Sequence, residues 1–133
     1  MIQYKDTHDI SPEDLQQLFL SVSWSSGSYP DRLAAAMRGF ETVFTAWDGD
    51  KLTGLISAMD DHSMTAYIHF LLVRPDYQGQ GIGRRLVEMT KEKYSGFLRI
   101  VLVAYDKQIG FYERCGFVKG KDDSPMFITE LST

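Results

Sequence analysis

The apolar and polar positions of this chain lay out its elements in order. Ile2 to Lys5 reads as a short first strand. Ser11-Pro12-Glu13-Asp14 is a helix start, with Ser as cap, Pro at the first position and acids in the first turn; the helix runs to about Val22. Ser23 to Ser28 is loop, and Tyr29-Pro30-Asp31 opens a second helix ending at Gly39. Two apolar runs, Thr42 to Trp47 and Leu52 to Met59, form a hairpin across Asp48-Gly49-Asp50-Lys51. Ala66 to Val73 is the next strand, paired back across Asp60 to Met64. A helix from Gly81 to about Tyr94 carries Ile82, Leu86, Val87 and Met89 roughly one turn apart. A strand over Leu98 to Ala104, a helix from Lys107 to about Cys115, and one or two final strands within Phe117 to Leu131 complete the chain. Helices interleaved in a mainly antiparallel sheet make an α+β fold, and residues 1–133 read as one domain.

The junction between the Ala66 strand and the Gly81 helix carries the strongest chemical signal. Val73-Arg74-Pro75-Asp76-Tyr77-Gln78-Gly79-Gln80-Gly81-Ile82-Gly83-Arg84 sets three glycines at alternate positions just before a helix. Such a loop leaves backbone N–H groups unpaired at the positive end of the helix dipole, which suits phosphate. The mononucleotide P-loop fails on spacing, because Gly83 is followed by Arg84-Arg85 rather than Lys and Ser or Thr. The dinucleotide fingerprint fails too, since Arg84 stands where its third glycine belongs. What remains is Gln-x-x-Gly-x-Gly at Gln78, Gly81 and Gly83. Alone, that pattern also describes a tight strand-to-helix connection with no ligand.

A second motif follows about 30 residues on, after the Leu98 strand: Phe111-Tyr112-Glu113-Arg114-Cys115-Gly116-Phe117. In type, order and spacing the pair resembles the GCN5-related N-acetyltransferase (GNAT) family. The likeness is clear from Thr42 to Val118 and strongest from Ala66 to Phe117. It implies a mixed, mainly antiparallel central sheet flanked by helices, with acetyl-CoA as co-substrate. On that resemblance, backbone amides of Gln80, Gly81, Ile82, Gly83 and Arg84 hold the pyrophosphate, and Gly79 belongs to the same cofactor-binding loop. Gln78 orients the loop, Arg84 adds charge, and Leu71, Leu72 and Val73 run along the pantetheine arm; Phe111 is core and also a candidate cofactor contact. The Tyr of the second motif, Tyr112, sits beside the CoA sulfur as general acid. The family often has Asn seven residues before that Tyr; here the position is Tyr105. Lys107 stands where a small residue is usual, facing either the 3′-phosphate or solvent.

Acetyl transfer constrains the remaining choices. An alkylammonium near pKa 10.4 must lose a proton before it attacks, at roughly 4–5 kcal/mol at neutral pH. Ala66-Tyr67-Ile68-His69-Phe70-Leu71-Leu72-Val73 looks like the strand of the arylalkylamine acetyltransferases that carries two alternate histidines as a proton relay. His69 matches the second and Tyr67 replaces the first. By strand alternation Tyr67, His69, Leu71 and Val73 share one face. His69 is therefore base or relay on one reading and a satisfied core residue on the other. Glu41, Asp60 and Asp61 are alternative bases acting through water, or else turn and cap residues. Trp24, Ser25 and Tyr29 lie in the connection that overhangs the acceptor channel in the family, so Trp24 and Tyr29 are candidate acceptor contacts, as is Tyr67 beside His69 in the strand; the other reading makes Trp24 packing. Cys115 reads as structural. No metal ligand is assigned.

Composition narrows the class. The 133 residues are 44% apolar and 13% aromatic, enough for a real core. The net charge of -4 argues against nucleic acid and is compatible with a cationic acceptor. No apolar run approaches the ~20 residues that span a bilayer, so no membrane partner is expected. The polar start, Met1 to Ile10, is unlike a signal peptide, and a lone cysteine makes the cytoplasm the simplest setting. The expectation is an N-acetyltransferase for a small primary amine, with a homodimer compatible. A silent acyl-CoA sensor and an acetyltransferase for protein lysine or N-terminal amines are the alternatives.

Overall fold

A computed structural model describes residues 1–132. Five strands form one sheet in the order β1-β2-β3-β4-β5: β1 (Ile2–Asp6), β2 (Thr42–Asp48), β3 (Lys51–Asp60), β4 (Thr65–Val73) and β5 (Arg99–Leu102). The first three pairings are antiparallel and β4 pairs with β5 in parallel. The expected mixed, mainly antiparallel sheet is thus present, with the β2–β3 turn at Gly49 and Asp50 where the sequence puts it. Gly49 adopts φ 60°, a backbone region that glycine enters without penalty.

Helices cover both faces. On one side lie α1 (Pro12–Ser21) and α2 (Pro30–Gly39), whose Leu15, Leu18, Phe19, Leu33 and Met37 pack onto Val43, Leu52, Leu55 and Leu72. Ser11 Oγ accepts from Asp14 N at 3.1 Å, the cap that the Ser-Pro-Glu-Asp start requires. On the other side α3 (Ile82–Lys93) sets Ile82, Leu86 and Val87 against Phe44, Ile56 and Ile68. Sandwiched so, β2 and β3 are buried along almost their whole length, which explains why they read as near-continuous apolar runs. The short α4 (Ile109–Arg114) closes this side.

Four expectations need correction. No strand forms in Phe117 to Leu131 among the described residues: Met126, Phe127 and Ile128 are 92%, 70% and 107% exposed, and the segment lacks a ladder partner to convert strand-like composition into strand. The fifth strand is shorter than Leu98 to Ala104. The helix expected from Lys107 begins as a 3-10 turn over Asp106–Gln108, and a similar turn, Ser25–Ser28, occupies the expected loop.

Candidate active site

The loop between β4 and α3 is shaped as its glycines predict. Gly79 and Gly81 have φ of 81° and 85°, left-handed positions that a Cβ would strain. Gln78 Nε2 donates to the Val73 carbonyl at 2.9 Å, folding the loop back onto the strand end. The first intrahelical bond of α3 runs from Arg85 N to Gly81 O, and no side chain caps the helix. The N–H groups of Ile82, Gly83 and Arg84 therefore stand without a helical acceptor at the positive end of a 12-residue helix. Gly83 is where α3 meets α4, since a Cβ there would lie 3.4 Å from the Phe111 ring.

Beside the loop the sheet opens. The β4–β5 ladder ends at Ile68 and Leu102, and beyond it no strand among the described residues covers that edge of β4. The gap is a cleft of ≈ 910 Å³ bounded by Leu71 to Val73, the glycine loop, Val103 to Tyr105 and α4. Arg84, Lys107 and Arg114 line it, and among the described residues no acid does. In a chain of net charge -4 this is a local inversion of sign, of the kind that attracts an anionic ligand. Arg84 also pairs with Glu88 at 3.2 Å within α3. Gln80 does not line the cleft.

The register of β4 slips where the chemistry was expected. Ser57 faces Phe70 while Ala58 faces Ile68, so His69 is an extra residue in the ladder, a β-bulge. The bulge overturns the expected shared face of Tyr67, His69, Leu71 and Val73. Ala66 and Ile68 belong to the α3 side before it, Leu71 and Val73 to that side after it, while Phe70 and Leu72 pack toward α1. His69 is thereby turned out of the core. It remains solvent-accessible, but Phe70, Tyr67 and Phe40 rings at 4.3, 5.6 and 5.9 Å withdraw its imidazole from water. That burial pushes its pKa below the ordinary 6.5 and favours the neutral form. Its Nδ1 lies 3.3 Å from Tyr67 Oη.

Tyr112 lines the same cleft from α4, its ring edge-on to Phe111 and Phe117 at 5.1 and 5.9 Å. Burial pushes the phenol up to about 12, so it is a firm hydrogen-bond donor. Cys115 is buried, its thiol likewise pushed up by burial, and its carbonyl accepts from Lys91 Nζ at 2.7 Å. It has the environment of a packing residue rather than a nucleophile.

The candidate acceptor residues separate. Trp24 lines the cleft and also packs against Phe19 and Phe70 at 5.9 and 6.2 Å. Tyr29 lines a second cavity of ≈ 610 Å³, while Tyr67 lines neither and touches only through His69. His69 is the one described residue common to both cavities. Glu41, Asp60 and Asp61 line neither. Asp60 accepts from Tyr94 Oη at 2.7 Å and contacts His62 Nδ1 at 3.2 Å, with Glu41 at 3.8 Å on the same imidazole. Asp61 accepts three backbone N–H bonds from Ser63, Met64 and Thr65, which hold its carboxyl at about 2 and mark it as a turn residue. Tyr105 and Lys107 line the cleft, as does Arg114, to which the sequence assigns no site role.

Comparison with known proteins agrees with this geometry. The family model described as "Acetyltransferase (GNAT) family" matches residues 8–117, extending the likeness to α1 and α2. An uncharacterized N-acetyltransferase, ycf52, of Gracilaria tenuistipitata var. liui is 30% identical over 118 residues, covering 85% of this chain and 65% of the relative. The chloroplastic GCN5-related N-acetyltransferase 2 of Arabidopsis thaliana is 32% identical over 131 residues, covering 82% and 50%. The chain thus spans about half to two thirds of the length of these relatives. A GNAT-family acetyltransferase structure from Streptococcus pneumoniae TIGR4 superposes with a TM-score of 0.81 at 27% identity, over 98% of both chains. On its fold, its paired motifs and these matches, the chain belongs to the GNAT acetyltransferase family.

Proposed function

We propose that this chain is an acetyl-CoA-dependent N-acetyltransferase that acetylates a small primary amine by direct attack, with both substrates bound together. One observation carries the reading: a single acid-free cleft joins the unpaired N–H groups of α3 to Tyr112 and to His69. A nucleotide thioester has its phosphates at one end and its reactive carbonyl at the other, and the cleft offers matching chemistry at both.

In this reading Ile82, Gly83 and Arg84 N–H groups hold the pyrophosphate, with Gly79 and Gly81 shaping the loop and Gln78 tying it to Val73. Lys107 and Arg114 supply further positive charge. The open edge of Leu71, Leu72 and Val73 takes the pantetheine arm as an added strand, beside Phe111. Acetyl-CoA brings an acetyl group already activated as a thioester. His69, with Nδ1–H donating to Tyr67, presents Nε2 to the entering ammonium and passes its proton to solvent. The amine nitrogen then bonds the carbonyl carbon, the carbon–sulfur bond breaks, and the second amine proton returns to the sulfur through solvent. Tyr112 donates a hydrogen bond to the departing thiolate. Full proton transfer from a phenol near 12 to a thiolate near 8.5 would be uphill by roughly 5 kcal/mol, so donation without transfer is the role its environment supports. The buried Cys115 takes no part, and a lone cysteine suits a reducing compartment such as the cytoplasm.

Steady-state assays with acetyl-CoA against arylalkylamines, polyamines and peptides test this reading, alongside calorimetric binding of acetyl-CoA. Turnover of a small amine with weak peptide activity is expected. Tight acetyl-CoA binding with no turnover on any amine would leave an acyl-CoA sensor instead, and preference for peptides would move the acceptor to protein.

A further inference from the structure

At the end of β4 away from the glycine loop, three side chains able to ligate a metal converge on one point. Glu41 leads into β2, Asp60 ends β3, and His62 follows in the turn to β4. One donor atom from each lies within 4.8 Å of the other two. His62 Nδ1 is 3.2 Å from Asp60 Oδ1 and 3.8 Å from Glu41 Oε1. An ion pair alone accounts for only half of this. Nδ1 carries one hydrogen at most, so it serves one carboxylate and leaves the other facing it without a donor. A tetrahedral cation with bonds of ~2.0–2.1 Å instead holds its ligands about 3.3 Å apart, close to both distances.

Asp60 supplies an independent observation. Its side chain is only 3% exposed, and among the described residues no Lys or Arg pairs with it. Its one ionic partner is the exposed His62, which is charged only when protonated. A carboxylate withdrawn this far from water calls for a permanent positive charge. Its oxygens are already fixed: Oδ2 accepts from Tyr94 Oη at 2.7 Å and Oδ1 from His62 N at 2.8 Å. Outer hydrogen bonds of this kind orient metal-binding carboxylates. Lys93 Nζ donates to the Glu41 carbonyl at 3.4 Å rather than to its carboxylate.

We propose that Glu41, Asp60 and His62 form a zinc site that ties the start of β2 to the β3–β4 turn. One imidazole nitrogen and two carboxylate oxygens suit Zn²⁺, whereas Ca²⁺ and Mg²⁺ take oxygen sets. Glu41 and His62 are 50% and 75% exposed at their side chains, so water reaches the cation as its fourth ligand. The ion is a clamp and takes no part in acetyl transfer, since none of the three residues lines either cavity.

Zinc chloride is titrated by calorimetry into the chelator-treated full chain, with magnesium and calcium chloride in parallel. One zinc should bind per chain, about tenfold or more tightly than either of the other ions. His62→Gln and Glu41→Gln, both at exposed positions, should each weaken zinc about tenfold or more. His8 is the control: its Nε2 meets Glu41 only at the backbone carbonyl, at 3.3 Å, so His8→Gln should leave zinc affinity within about twofold. Zinc should raise the unfolding temperature of the unaltered chain by several degrees and leave that of His62→Gln where it was. Absence of zinc binding would overturn the site and leave His62 as an ion-pair partner. Binding indifferent to both ligand variants, or lost with His8, would overturn it as an adventitious ion only. Magnesium or calcium held as tightly as zinc would overturn it as an acidic patch.

Discussion

Tyr112 and His69 show how environment sets the protonation of residues whose types alone leave it open. Tyr112 is held protonated by burial, so losing its hydroxyl removes a donor rather than an acid. Tyr112→Phe should lower kcat about 10- to 100-fold with little change in the acetyl-CoA KM, read by steady-state kinetics at saturating amine. His69 is shifted the other way: its pKa lies below 6.5, so above that pH it is neutral and able to accept a proton. The acid limb of kcat/KM should therefore fall off below pH 6.5, and His69→Gln should lower the plateau about tenfold or more and abolish that limb. An unchanged profile would leave His69 as packing. Both residues were visible in the sequence, Tyr112 through its motif and His69 as a lone imidazole in an apolar strand. Arg114 was not, because a charge at a helix end acquires meaning only from the cleft it lines.

Among the elements, the glycine loop was legible and the strand before it was not. Loop and helix start depend on local rules, positive φ and an uncapped helix end, which residue types report directly. The β4 bulge depends on pairing with β3, and a one-residue slip at His69 is invisible to strict alternation. The same distinction separates the α1 cap, read correctly from Ser11, from the final strands, whose composition was right but whose partner was missing. Two glycines test the loop. Gly81→Ala forces a Cβ into φ 85° and should cost about 1–2 kcal/mol in urea unfolding while weakening acetyl-CoA binding. Gly39→Ala, at the end of α2 with nothing within 4 Å of the new Cβ, should stabilise by up to ~1 kcal/mol and leave binding alone.

At the scale of the molecule, the two cavities differ in chemistry. One cleft is lined by Arg84, Lys107 and Arg114, in a chain that is acidic overall; the other cavity is mainly apolar, and the two share His69. Because the cations lie at the surface of the cleft, acetyl-CoA binding should weaken severalfold as salt rises from about 50 to 500 mM, where screening shortens to a few ångströms. Lys107→Glu with Arg114→Glu should weaken it about tenfold or more and flatten that salt dependence, both measurable by calorimetry. The central claim is that the acetyl group passes straight from acetyl-CoA to an amine held in the same complex. A single-turnover experiment with acetyl-labelled acetyl-CoA, resolving intact protein and amine by mass, tests it most directly. The account predicts label on the amine and none on the protein at any time; acetyl label on Cys115, or none reaching any amine, would contradict it.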